Sequence, residues 1–174
     1  MAITVVANPA TLSWANFRTT PNKIPDPGDG TLQDSLTKFD YTMPDLPPRM
    51  VDGQFALADP NVITITPNAQ VFSGVAKTPR LLAHEQFHYD VGIVIARAFA
   101  RAIMRLRAPS KAALIAALQN AVNLHFQTRA GLIQHRYDLD THHGTIAHYQ
   151  RIWKSEMVAC LAHPHSDHLH GFWL

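Results

Sequence analysis

Leu81-Leu82-Ala83-His84-Glu85-Gln86-Phe87-His88 is the stretch on which the reading of this chain turns. It contains the pattern His-Glu-x-x-His. Positions four apart share a helix face, so His84 and His88 can reach one metal ion together. Glu85 is turned to the side, where its carboxylate can hold the water that a metal activates. The chain has only two glutamates, Glu85 and Glu156, and eleven histidines. At that composition the pattern arises by chance in roughly one chain in a hundred. That rarity weighs against two ordinary helical histidines beside a surface glutamate.

Around the motif the sequence reads as helix. Thr78 suits an N-cap and Pro79 the first helical position, so the spacing predicts a helix from Thr78 to about Arg107, broken by Ala108-Pro109-Ser110. Its buried stripe is His84, His88, Val91, Ile95, Ala98 and Ala102. Arg97, Arg101 and Arg105 fall on the far side, as a solvated basic face. A second helix, rich in alanine and leucine, is predicted from Lys111 to about Asp138, and a third from about Thr145 to Ala162. Trp14 and Trp153 read as core. The histidine-rich tail, His163 to His170, reads as solvated.

The part before the motif differs in kind. Ten of the twelve prolines lie at or before Pro79. Strands are predicted at Ile3–Val6, at the alternating Phe39, Tyr41 and Met43, at Phe55–Ala58 and at Val62–Thr66, with Pro60-Asn61 and Pro67-Asn68 as punctuation. Asn22 to Gly30 reads as a loop. The expected fold class is α+β in one domain over residues 1–174. A small sheet region occupies 1–77, a bundle of about three helices 78–162 and the tail 163–174.

Composition sets limits. Hydrophobic residues make up 47% and charged residues 16% of the 174, which is globular. A net charge of +2 without a basic run gives no reason to expect nucleic acid or a membrane as partner. Cys160 is the only cysteine, which excludes an internal disulfide and a cysteine zinc site. The opening residues show no signal peptide. The longest apolar run, Val91 to Ala100, is interrupted by Arg97 and too short to span a bilayer.

A catalytic zinc takes three protein ligands and leaves a place for water. If the first two helices pack antiparallel about Pro109, His88 faces Ala130 and His84 faces Gln134. The chain then passes the motif with Tyr137-Asp138-Leu139-Asp140-Thr141-His142-His143-Gly144. His143 and Asp140 are candidate third ligands there. Asp138 suits orienting a histidine through its N–H, or ligation itself. Glu156, on the later helix, is a further candidate.

The sequence resembles a bacterial family described as secreted zinc-dependent proteases. The matching residues are His84-Glu85-Gln86-Phe87-His88-Tyr89-Asp90, then Tyr137-Asp138 through Thr141 to His143-Gly144 (YDxxTxHG), then Gln150 and Trp153. Leu12-Ser13-Trp14 and Phe17 resemble its opening motif, so the likeness covers most of residues 12 to 155. It departs at Val71 to Val75, where the family more often has a tryptophan after the serine. The resemblance implies a zincin-like metallopeptidase that uses Zn2+ on His84, His88 and His143, with Glu85 as general base and a secreted or periplasmic location. With Asp140 as the alternative ligand, the segment is similar to the Asp-x-x-Tyr-Gly arrangement of aspartate-type zinc endopeptidases. Tyr137 is expected either as a catalytic donor near the oxyanion or as a packing aromatic. His142, or whichever of Asp140 and His143 is not a ligand, is an alternative donor. A strand near Gln70 to Ser73 is expected to pair with a peptide or protein substrate. The alternatives are an inactive zinc-binding module that binds a protein partner, and a zinc amidase acting on cell-wall peptide.

Overall fold

The computed structural model describes residues 4–28, 30–45, 47–58 and 62–174. Ile3, Asp29, Pro60 and Asn61, each part of an expected strand, loop or break, lie outside them. The fold is α+β, with a strand region before the helices. The strands are β1 (Thr4–Ala7), β2 (Phe17–Thr20), β3 (Ile24–Pro25), β4 (Leu32–Gln33), β5 (Ser35–Thr42), β6 (Pro48–Val51), β7 (Gln54–Leu57) and β8 (Val62–Phe72). The helices are α1 (Pro79–Met104), α2 (Lys111–Val122), α3 (Ala130–Thr141) and α4 (Ala147–Ala162), and a hairpin of β9 (His168–Leu169) and β10 (Phe172–Trp173) closes the chain.

β8 is the centre of the main sheet. β5 pairs antiparallel along one edge, from Ser35 opposite Val71 to Thr42 opposite Thr64. On the other edge β1 and then β2 pair parallel, at Val62–Ile65 and Ala69–Phe72. Pro67 therefore does not end the strand as expected. It falls in the gap between β1 and β2, where no neighbour asks for its missing N–H. Residues 70–72 are paired on both sides, so the expected docking strand near Gln70 to Ser73 is not an edge. Among the described residues β5, like β1 and β2 on the other side, pairs only with β8, so its outer edge is free.

The Thr78 hydroxyl caps α1 by accepting the Leu81 N–H at 3.1 Å, as the sequence indicates. The expected stripe is buried except at Ala102, which is half-buried, and from Phe87 to Ala100 the helix is enclosed on nearly every side. It ends at Met104 rather than Arg107, because Ala108 turns away to exchange two backbone hydrogen bonds with Phe55. α2 and α3 form one rod joined by a π-helical segment, Asn123–Arg129, which matches the single second helix expected. β5 rides on α1, with the Phe39 ring where a side chain at position 92 would stand. A Cβ on Gly92 would lie 2.5 Å from that ring.

Two expectations at the far end are corrected. Arg97 donates to the Leu161 carbonyl at 2.8 Å, and Arg101 to those of Pro164 and Ser166 at 2.6 Å. These arginines hold the end of α4 and the chain after it, instead of facing only solvent. The tail folds as the β9–β10 hairpin, with Leu169 and Leu174 buried. Among the described residues, no helix is long and apolar enough to cross a membrane.

Candidate metal centre

α1 presents His84, Glu85 and His88 where the sheet edge and α3 meet, all three buried. The two Nε2 atoms lie 3.2 Å apart. Asp138 Oδ1 lies 3.0 Å from His88 Nε2 and 3.1 Å from His84 Nε2. Three lone-pair donors thus form a nearly equilateral triangle. Tetrahedral zinc with bonds of about 2.0 to 2.1 Å has donor separations of about 3.3 Å, so this set fits such an ion. The two Nδ1 atoms are buried with no hydrogen-bond partner. A carboxylate that merely oriented the imidazoles would take an Nδ1–H, but Asp138 meets the nitrogens that converge. Burial alone would lower the His88 imidazole, but Asp138, with Glu85 and Gln134, outweighs it and pushes the group up to about 9. Burial alone would raise the Asp138 carboxyl, but His88 and His84 hold it well below the usual range.

Of the candidate third ligands, Asp138 meets the two imidazoles and the others lie further off. His143 Nδ1 is 3.8 Å from Asp138 Oδ1, at the cleft mouth, with the His143 side chain 31% exposed. It belongs with Asp26 and Asp138 in a second, more open group of donors. Asp140 faces away, accepting from Trp153 Nε1 at 3.1 Å and pairing with Arg136 at 2.9 Å. Glu156 is bound to His170 at 3.0 Å, on that same remote side. Asp138, expected to orient a histidine or to ligate, reaches both imidazoles because α3 packs further along α1 than an ideal hairpin about Pro109 implies. His88 meets Gln134 and Asp138, not Ala130.

The bend after α3 explains much of the downstream motif. Thr141 Oγ1 donates to the Tyr137 carbonyl and accepts the Gly144 N–H. His142, His143 and Gly144 all have left-handed φ, between 47° and 79°. A Cβ on Gly144 would lie 2.9 Å from His84 Cγ, so the bend needs glycine on both counts. Tyr137 is fully buried behind the histidines. It stacks on Phe87 at 3.8 Å and on His84 at 4.8 Å, and it does not line the cleft. It is the packing aromatic of the two expectations, and burial pushes its phenol well up. Gln150 donates to the Arg80 carbonyl, and Trp153 is wholly buried, as expected. Gln86 accepts the Leu12 N–H at 2.7 Å and donates to Asp90, which fastens the opening segment to α1. Asp90 thus serves Gln86 rather than a motif histidine, and burial raises its carboxyl to about 6.

No family model, no curated protein and no solved structure matches this chain.

One residue of the site had no signal in the sequence. Ser35, buried on β5, donates to Glu85 Oε1 at 2.5 Å, while Glu85 Oε2 has no protein partner. The cleft, about 240 Å³, is lined by these groups together with Gln33, Thr37, His142 and His143. Gln33 holds His143 Nε2 at 3.5 Å.

Proposed function

We propose that this chain is a zinc-dependent metallopeptidase of zincin-like build, as the sequence resemblance implies. The observation that carries the reading is the meeting of His84 Nε2, His88 Nε2 and Asp138 Oδ1 within 3.2 Å of one another, one residue from a buried carboxylate. His84, His88 and Asp138 would hold the ion, so Asp138 takes the ligand place that the sequence offered to His143. A zinc ion held there supplies Lewis-acid charge and lowers the pKa of a water to about 7.

The chain's own groups do the rest. Glu85, fixed through Oε1 by Ser35, turns its free Oε2 to the attacking water, takes its proton and delivers it to the leaving amine. His143 at the cleft mouth faces the scissile carbonyl and donates to the developing oxyanion. The free edge of β5 runs past these groups, and an extended peptide adds to it as a further strand.

The test is Glu85→Gln. Metal content should stay at one zinc per chain, while cleavage of casein or a quenched-peptide mixture falls by about 100-fold or more. Chelator should abolish cleavage by the unsubstituted chain. Cleavage that survives either treatment would overturn the assignment.

A further inference from the structure

Beside the cleft lies a larger cavity of about 620 Å³ that the proposed chemistry does not use. The two are continuous, since His88, Asp138 and His143 border both. One wall is the rod of α2 and α3, where Gln127, Gly131, Gln134 and Asp138 recur at helical spacing and all face the cavity. The opposite wall is β5, with Phe39 and Tyr41 pointing inward. Phe126 closes the end, its ring stacked on Tyr41 at 4.1 Å and 7° and tilted to Phe39 at 6.2 Å. Aromatic walls thus stand at one end and two carboxamides along one side. Gly131 opens onto this space, since a Cβ there would meet nothing within 4 Å.

We infer that this cavity is a subsite for a large aromatic side chain of an extended peptide lying on β5. The inference rests on the proposed function for its substrate class. The free backbone of β5 holds the peptide without regard to sequence. Side chains of an added strand alternate, so one of them is directed between Tyr41 and Gly131. The Tyr41, Phe126 and Phe39 rings give it an aromatic wall to pack against.

The probes are two fluorescein-labelled peptides of one small-residue sequence, with phenylalanine or alanine at the centre. Binding is read by anisotropy on the zinc-loaded Glu85→Gln chain, which is designed not to cleave them. The phenylalanine peptide should bind about tenfold more tightly or better. Adding Gly131→Leu, whose side chain fills the cavity, should reduce that preference to within about twofold at unchanged zinc content. Gly131→Ala, which adds one methyl group, should keep most of it. Equal binding of the two peptides, binding of neither, or a preference that survives Gly131→Leu would overturn the subsite. Hydrolysis by the unsubstituted chain is measured separately. A binding preference without turnover would count against the peptidase reading and leave the subsite standing.

Discussion

At Asp138 a single carboxylate oxygen meets two imidazole nitrogens, and the charge on that oxygen is what makes the trio a candidate cation site. Asp138→Asn keeps the shape and removes the charge. Losing a group that merely orients a ligand weakens metal binding by about 10- to 100-fold, so losing this one should cost about 100-fold or more. Titration with zinc against a competing chelator measures it. Unchanged affinity would return the third place to His143. Ser35 calls for the opposite result. Its hydroxyl orients Glu85 and touches no ligand of the proposed ion. Ser35→Ala should therefore leave zinc affinity within about twofold and lower kcat by about tenfold, a fraction of what general base catalysis contributes. A loss of metal in Ser35→Ala would show that the hydroxyl supports the fold of the site, not its base.

The elements show why parts of the site were legible in the sequence and parts were not. α1 carries its own signals, an N-cap, a proline and a buried stripe, all local, and it forms where they indicate. β2, β4, β6 and the closing hairpin are short pieces whose pairing is decided by distant partners, which no local pattern records. Ser35 reaches Glu85 across fifty residues for the same reason. The passage of the chain beside the motif after α3 was legible in the sequence, but the close contact of Gly144 with the His84 ring was not. Gly144→Ala places a left-handed alanine, costing about 1 to 2 kcal/mol, against that ring, so both stability and zinc affinity should drop. Thermal melts and zinc titration of this variant beside Gly131→Ala make the comparison, since position 131 is open and mid-helix and should gain up to about 1 kcal/mol. The π-helical segment carries a separate prediction. Its buried His125 donates through Nδ1 to the Ala121 carbonyl and receives Arg129 at Nε2, so the neutral ring is the one that fits. Burial lowers this imidazole below its ordinary value, and the nearby Arg129 and Arg101 add to the effect. The unfolded chain then binds the extra proton, so this contribution to stability is present at neutral pH and is lost as pH falls below about 6.5. His125→Leu should flatten that acid limb, as read from denaturant midpoints between about pH 7 and pH 5. An unchanged pH slope would mean that His125 takes up its proton equally well in the folded and the unfolded chain.

Across the whole molecule, the proposed ion would be a cross-link. Its ligands come from α1, the enclosed central helix, and from the end of α3, with Tyr137 stacked against His84 and Phe87 where the two helices meet. The rest of that contact is a stack of side chains with Trp153 of α4 behind it, so the helices are already held together without the metal. The chain should accordingly fold in chelator, with zinc adding stability in proportion to its affinity. At free zinc about 100 times the dissociation constant, the gain is about 2.7 kcal/mol. For a domain of this size that corresponds to a rise in Tm of about 5 to 10 °C. Calorimetry with chelator and with graded zinc would show the rise. In Asp138→Asn it should shrink, and in Glu85→Gln it should persist in full, because that variant keeps every ligand. A melting temperature indifferent to zinc in the unsubstituted chain would remove the ion from the fold, and with it the reason for Glu85 to sit where it does.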